Sequence, residues 1–219
     1  MSGHDHRRDD GHRQGHDDGH AHGHRRDAHG NPEHFELYLA RQLDPEREAW
    51  QRPDEVVSWL VLGPGDVACD VGAGPGVFAL RLARVVGPAG RVHALDVDPR
   101  MLAVLERRAR EAGLENVLPR HVPDGRGLPP EPVDAVLLVN VLHHFPDPAA
   151  YLRELAGRLR PGGRILDVDF HGGELPVGPP PDFRLPREAF LAIVAQAGLE
   201  VAKEHSGLPY QYAFVLRPA

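Results

Sequence analysis

An apolar run, Val67-Ala68-Cys69, ends in Asp70 and turns through Gly72, Gly74 and Gly76 into a helical stretch from Val77 to Val86. A strand that bends through three glycines lets its backbone come close to a ligand, because no Cβ blocks the approach. The helix behind such a bend directs its unpaired N–H groups at whatever occupies the crevice. From Val67 onward strand-like and helix-like segments alternate, which predicts an α/β fold, doubly wound, with a mostly parallel sheet covered by helices on both faces.

The expected strands lie at 67–70, 91–96, 116–120, 133–139, 164–169, 199–205 and 210–216. The expected helices lie at 76–86, 99–112, 148–159 and 186–197. The last two strands are joined by a short turn only, so they are expected to be antiparallel, since parallel neighbours need a longer crossover. A Pro- and Gly-rich loop, 172–185, is long enough to be functional rather than a mere connector. Ahead of the sheet, helix starts are read at Asn31-Pro32-Glu33, Asp44-Pro45-Glu46 and Asp54-Glu55, where a capping side chain or Pro meets an apolar stretch. The expected organisation is a His-rich leader at 1–31 and one folded domain at 32–219, with N-terminal helices at 32–65 that cover the site and a core sheet at 66–219.

The residues around the glycine turn suit a nucleoside-bearing cofactor. Asp96 closes the second strand, where an acid can receive the two hydroxyls of a ribose. Asp124 sits in a loop beyond the third strand. The dinucleotide fingerprint G-x-G-x-x-G would require a third glycine at position 77, but that residue is Val. A carboxylate at Asp70 would repel a pyrophosphate and attract a cation. S-Adenosyl-L-methionine carries an ammonium, a sulfonium and a ribose diol without a phosphate, and so fits this arrangement.

On these residues the chain resembles the class I S-adenosylmethionine-dependent methyltransferases over about residues 45–219. Asp70-Val-Gly72-Ala-Gly74-Pro-Gly76 looks like the family's first motif and Asp96 like the acid after its second strand. Asp124 stands where the family places an acid or amide near the adenine amino group. Val133 to Asn140 resembles the fourth strand, and Leu159-Arg-Pro-Gly-Gly163 the turn before the fifth. A nearer likeness is to a small bacterial group with a His-rich leader, which shares the Glu48-Ala-Trp50-Gln51-Arg-Pro53, Leu142-His143-His144 and Leu208-Pro-Tyr210-Gln211-Tyr212 patterns. The resemblance implies a Rossmann-like seven-stranded sheet of order 3-2-1-4-5-7-6. It also implies a cofactor site built from Asp70, Gly72, Ala73, Gly74, Gly76, Asp96, Val97, Asp124 and Asn140.

Methyl transfer from a sulfonium is an in-line displacement, and a base is needed only if the acceptor must lose a proton. His143 and His144 follow the fourth strand at the carboxyl edge, where open α/β sheets bind ligands, and either can take a proton near neutral pH. Asn140, at the end of that strand, is placed to orient a polar acceptor. Tyr210 and Tyr212 either line the pocket or join the core.

The chain's net charge of −7 leaves no basic stripe for nucleic acid. The single cysteine, Cys69, sits in a strand expected to be buried, so no disulfide is expected. Neither a secretory signal nor an 18-residue apolar run is present, which predicts a cytoplasmic protein away from membranes. Nine of the fifteen histidines fall within the first 34 residues. There His20, His22 and His24 offer a loose site for a divalent transition metal, while the folded domain is expected to hold none. The leading expectation is therefore an enzyme that methylates a small molecule. A metal-handling protein working through the leader and a nicotinamide-dependent oxidoreductase are the rival readings. Neither the acceptor nor the oligomeric state is written in the chain.

Overall fold

The computed structural model describes Met1 and residues 34–219. The histidines from His4 to His29, including His20, His22 and His24, and the helix start at Asn31-Pro32-Glu33 lie outside the described residues. Three short helices come first: α1 (Phe35–Gln42), α2 (Arg47–Trp50) and α3 (Pro53–Ser58). Asp44 precedes α2 as a turn cap, its Oδ1 accepting from the Glu46 N–H at 2.9 Å.

The alternating part comprises β1 (Val67–Val71), α4 (Ala79–Val86), β2 (Arg91–Asp96), α5 (Pro99–Glu111), β3 (Val117–His121), β4 (Val133–Val139), α6 (Pro148–Ala156), β5 (Leu159–Phe170), α7 (Arg187–Gln196), β6 (Leu199–His205) and β7 (Gln211–Pro218). The strands form one seven-stranded sheet of order β3-β2-β1-β4-β5-β7-β6, as the resemblance implied. Neighbours from β3 to β5 are parallel, and β7 runs antiparallel to both β5 and β6. Because β7 is reversed, its first residue, Gln211, pairs with Phe170 at the carboxyl edge of the parallel strands.

All five residues of β1 are buried, as expected for a strand covered on both faces. Ala68 faces a core shared with α3, α4 and α5. Val67, Cys69 and Val71 face a second core shared with α6 and α7. Helix α4 presents Ala79, Leu82, Ala83 and Val86 to the first core at helical spacing. Asp98 caps α5 by accepting from Arg100 N–H at 2.9 Å, and Asp147 caps α6 by accepting from Ala150 N–H at 2.9 Å.

Three expected boundaries are corrected. Helix α4 begins at Ala79 rather than 76, because Gly76 has φ +86°, a left-handed value that a helix interior excludes. Helix α6 stops at Ala156 rather than 159, before Gly157. Strand β5 begins at Leu159 rather than 164: Leu159 pairs with Val133, and a register shift between Val133 and Ala135 absorbs the Pro161-Gly-Gly turn within the strand.

Candidate active site

The bend after β1 is anchored to the end of β2. The Gly72 and Ala73 amides both donate to Leu95 O, at 2.8 and 2.9 Å, and the Gly74 amide donates to Asp96 Oδ2 at 2.7 Å. Several loop amides are thereby used to fix the bend itself rather than left free for a ligand, as the sequence had suggested. Gly72 and Gly76 serve packing. A Cβ on Gly72 would lie 2.8 Å from Val141 Cγ2, and one on Gly76 would lie 2.9 Å from Leu105 Cγ. Gly74 differs: its φ is +53°, and a Cβ there would meet nothing within 4 Å. The open side of the cradle is therefore at Gly74.

Asp70, in β1, and Asp96, at the end of β2, are both buried. Burial first, and the neighbouring Asp96 second, push the Asp70 carboxyl up to about 8, against a backbone hydrogen bond from Ala79 that lowers it. Asp70 thus accepts from the first amide of α4, and its Oδ2 is buried without a partner. Asp96 is also raised, chiefly by burial; amide hydrogen bonds from Asp98, Gly74 and Val97 oppose the shift. The Asp98 amide reaches Asp96 Oδ1 at 2.8 Å. Two crowded carboxyls, one with an orphaned oxygen, suit a cationic ligand and disfavour a phosphate. The residues fit S-adenosylmethionine.

Loop 122–125 closes the far end of the cradle. Val122 N–H donates to Asp96 O at 2.9 Å, and a Cβ on Gly125 would lie 3.5 Å from Val97 Cγ1. Asp124 is exposed on this loop, with Oδ1 accepting from Arg126 N–H at 3.1 Å. Ala73 is buried and Val97 half-buried.

The carboxyl ends of β4 and β5 form the other half of the site. His143 lies in a single 3-10 turn, Leu142–His144. Its Nδ1 lies 2.7 Å from Asp169 Oδ2, with side-chain exposures of only 7% and 1%. Asp169 Oδ1 accepts from Phe170 N–H at 2.8 Å, which fixes the carboxylate. A carboxylate on Nδ1 keeps the proton there and leaves Nε2 as the free base. His144 is exposed, its ring centroid 4.1 Å from that of His143. The two histidines therefore separate into one oriented imidazole and one at the surface. A cavity of about 270 Å³ adjoins them, lined by Leu142 to Phe145 on one side and by Asp182 to Leu185 on the other.

Sequence reading missed Asp169, whose partner is 26 residues away. It also missed Asp167, one repeat earlier on the same face of β5. Asp167 is buried with neither carboxyl oxygen partnered, and burial and Asp169 hold it well above the usual carboxylate range. The signal available was the Asp-Val-Asp alternation in the otherwise apolar stretch from Ile165 to Phe170. Tyr212 belongs to the core, its hydroxyl donating to Leu185 O at 2.9 Å; Tyr210 packs near Trp50, centroids 6.1 Å apart. Asn140 has φ +56° and is tied to Gln211, whose Nε2 donates to Asn140 Oδ1 at 2.6 Å.

Residues 68–163 match the family described as methyltransferase domain. A 2-phytyl-1,4-naphtoquinone methyltransferase from Synechococcus elongatus is 35% identical over 124 residues, covering 56% of this chain and 52% of the relative. A demethylmenaquinone methyltransferase from Bacillus cytotoxicus is 33% identical over 124 residues, covering 56% and 51%. The chain spans about half the length of these curated relatives. Among solved structures, a SAM-dependent methyltransferase from Aquifex aeolicus superposes with a TM-score of 0.73 at 25% identity, covering 82% of this chain and 96% of that one. No helix among the described residues is long and apolar enough to cross a membrane. Topology, glycine cradle and sequence match agree: residues 68–163 match a methyltransferase domain, set in a sheet of the order found in S-adenosylmethionine-dependent methyltransferases.

Proposed function

We propose that this protein transfers a methyl group from S-adenosylmethionine to a small-molecule acceptor bound over the carboxyl ends of β4 and β5. The observation that carries the reading is the sealed His143–Asp169 pair, set two residues after the Val141 side chain that packs on Gly72 of the cradle. The cofactor, when bound, supplies an electrophilic methyl on a cationic sulfur. Asp96 orients the ribose hydroxyls, Asp124 lies toward the adenine, and Asp70 contributes negative potential from beneath the bend once a cation draws its proton away. Asp169 holds the His143 ring, and His143 Nε2 removes the proton that the acceptor loses as its new bond to carbon forms. Water exclusion falls to the 182–185 segment and to helices α1 to α3.

The relatives named for a phytyl-naphthoquinone and for demethylmenaquinone support a small organic acceptor, and the protein's net acidity supports the absence of nucleic acid as a partner. We place it in the cytoplasm; that no helix among the described residues is long and apolar enough to cross a membrane is compatible with this reading. A divalent transition metal on His20, His22 and His24 is a separate proposal, tested by Ni²⁺ titration of the full chain and of a variant lacking residues 1–31. For the enzyme, calorimetry with S-adenosylhomocysteine, NAD and Ni²⁺ on both forms decides the matter. Tight S-adenosylhomocysteine binding that survives loss of the leader is expected; binding of metal alone, or of NAD in preference, would overturn the reading. A screen of metabolite extracts for radiolabelled methyl product then identifies the acceptor.

A further inference from the structure

Four polar side chains run in one line from helix α2 to the end of β4. Arg47 Nε donates to Gln51 Oε1 at 3.0 Å, and its Nη2 donates to the same oxygen. Gln51 Nε2 donates to Gln211 Oε1 at 3.2 Å, and Gln211 Nε2 donates to Asn140 Oδ1 at 2.6 Å. Gln51 is fully buried and Gln211 is 2% exposed. Helix α2, the start of β7 and the end of β4 are thus joined across 160 and 71 residues of chain.

The direction of this chain of amides is not a free choice. A guanidinium can only donate, so Gln51 must turn its oxygen to Arg47 and its NH₂ away. That NH₂ can only donate, so Gln211 must accept with its oxygen and pass its own NH₂ to Asn140. Asn140 must then accept through Oδ1. Turning over Gln51 or Gln211 would set like groups against each other at both contacts of a buried amide, and turning over Asn140 would set its NH₂ against that of Gln211. Arg47 keeps its charge at neutral pH, since burial lowers it only to about 10. The second anchor on this residue is α1: Arg47 Nη1 donates to Gln42 O at 2.7 Å and to Gln42 Oε1 at 2.6 Å.

Asn140 is half-buried at the carboxyl edge of β4, and its Nδ2 has no partner among the described residues. We propose that the Arg47–Gln51–Gln211 relay locks Asn140 with its two N–H donors facing the acceptor site, so that the enzyme selects acceptors bearing an oxygen there, as a carbonyl, phenolate or enolate, and rejects amines. This deepens, and rests on, the reading of the site as a small-molecule methyltransferase. Asn140 touches the acceptor, while Arg47, Gln51 and Gln211 are positioning residues. An asparagine with its oxygen free would instead accept from an amine N–H; the relay removes that option. A positive charge at the far end polarises the amides in the same sense and strengthens the donors presented.

The test uses the full chain loaded with S-adenosylhomocysteine and two isosteric probes, 1-naphthol and 1-naphthylamine. Binding is read by calorimetry and by the side-chain amide signals in ¹H–¹⁵N spectra. Naphthol is expected to bind roughly tenfold or more tighter than naphthylamine, and to shift the Asn140 Nδ2 protons. Asn140→Asp keeps an acceptor for Gln211 and tolerates the left-handed backbone. It should lower naphthol affinity by roughly tenfold. Gln211→Glu, which can only accept, should turn Asn140 over and abolish or reverse the preference. Equal binding of the two probes, no binding of either, or a naphthylamine preference in the native protein overturns the proposal. So does a loss of S-adenosylhomocysteine affinity in Asn140→Asp, which would assign Asn140 to the cofactor. Failure of the native protein to bind S-adenosylhomocysteine at all would instead overturn the methyltransferase reading beneath it.

Discussion

His143 and Asp169, 26 residues apart in the chain, meet at 2.7 Å where β4 and β5 end. The aspartate is the group that decides which ring nitrogen is basic. Asp169→Asn can offer its NH₂ to Nδ1 and so stabilise the wrong tautomer. It should lower turnover roughly a hundredfold. His143→Ala should do at least as much, and His144→Ala, at the surface, considerably less. Steady-state methyl transfer measures the first effect, and calorimetry with S-adenosylhomocysteine should show cofactor affinity intact in all three.

Asp70 makes the cradle sensitive to pH. Its folded-state value is raised to about 8, whereas an unfolded aspartate titrates near 3.9. Between those values the native protein keeps a proton that the unfolded chain has released, so this group removes stability as pH rises, by about 1.4 kcal/mol per unit, until pH passes about 8. Asp70→Asn retains an acceptor for the Ala79 amide and should raise the melting temperature more at pH 8 than at pH 5. A cationic ligand lowers the Asp70 value, so S-adenosylmethionine should release protons on binding at pH 7 to a greater extent than neutral S-adenosylhomocysteine. Calorimetry in buffers of different ionisation enthalpy counts those protons.

Two glycines separate fold from binding. Gly72→Ala would force a Cβ to 2.8 Å from Val141 Cγ2 at φ +70°, and should cost roughly 1–3 kcal/mol of stability. Gly74→Ala meets no protein atom within 4 Å and carries only the backbone penalty of about 1 kcal/mol, so its larger effect should be on cofactor affinity. Asp96→Ala should weaken cofactor binding by roughly 1.5–3 kcal/mol. Denaturant melts together with ligand titrations separate these outcomes.

Arg184 clasps the loop after β5. Its Nε donates to Pro179 O at 2.7 Å and its Nη1 to Gly173 O at 2.6 Å, with the guanidinium 5.7 Å from the centroid of the Phe170 ring. Arg184→Ala should raise amide exchange across residues 172–183 while leaving the β5 amides protected. Unchanged exchange in that loop would show that Phe183 and the prolines hold it unaided.

Much of the scaffold was legible because it rests on local rules. Strand β2 at 91–96 and strand β4 at 133–139 stand where their apolar patterns put them, and Asp98 caps α5 ahead of Pro99 as its residue type suggests. The glycine bend was visible, but not that Gly74 alone is its open position; that depends on Val141 and Leu105, brought in from other elements. Asp70 read as a fixed negative charge, whereas its burial beside Asp96 leaves it protonated near neutrality in the absence of a cation. Asp169, Gln51 and Gln211 stayed hidden for one reason. Each acquires its meaning from a partner far along the chain, and no periodicity records such a pairing.

The reversed course of β7 has a consequence for biosynthesis. A ribosome delivers Gln211 long after Arg47, Gln51 and Asn140, yet only that glutamine completes the line between them. The earlier strands can pair as they emerge, while the polar thread through the active face must wait for the final hairpin. A nascent chain stalled before that point would carry the cofactor bend with Asn140 still free to rotate.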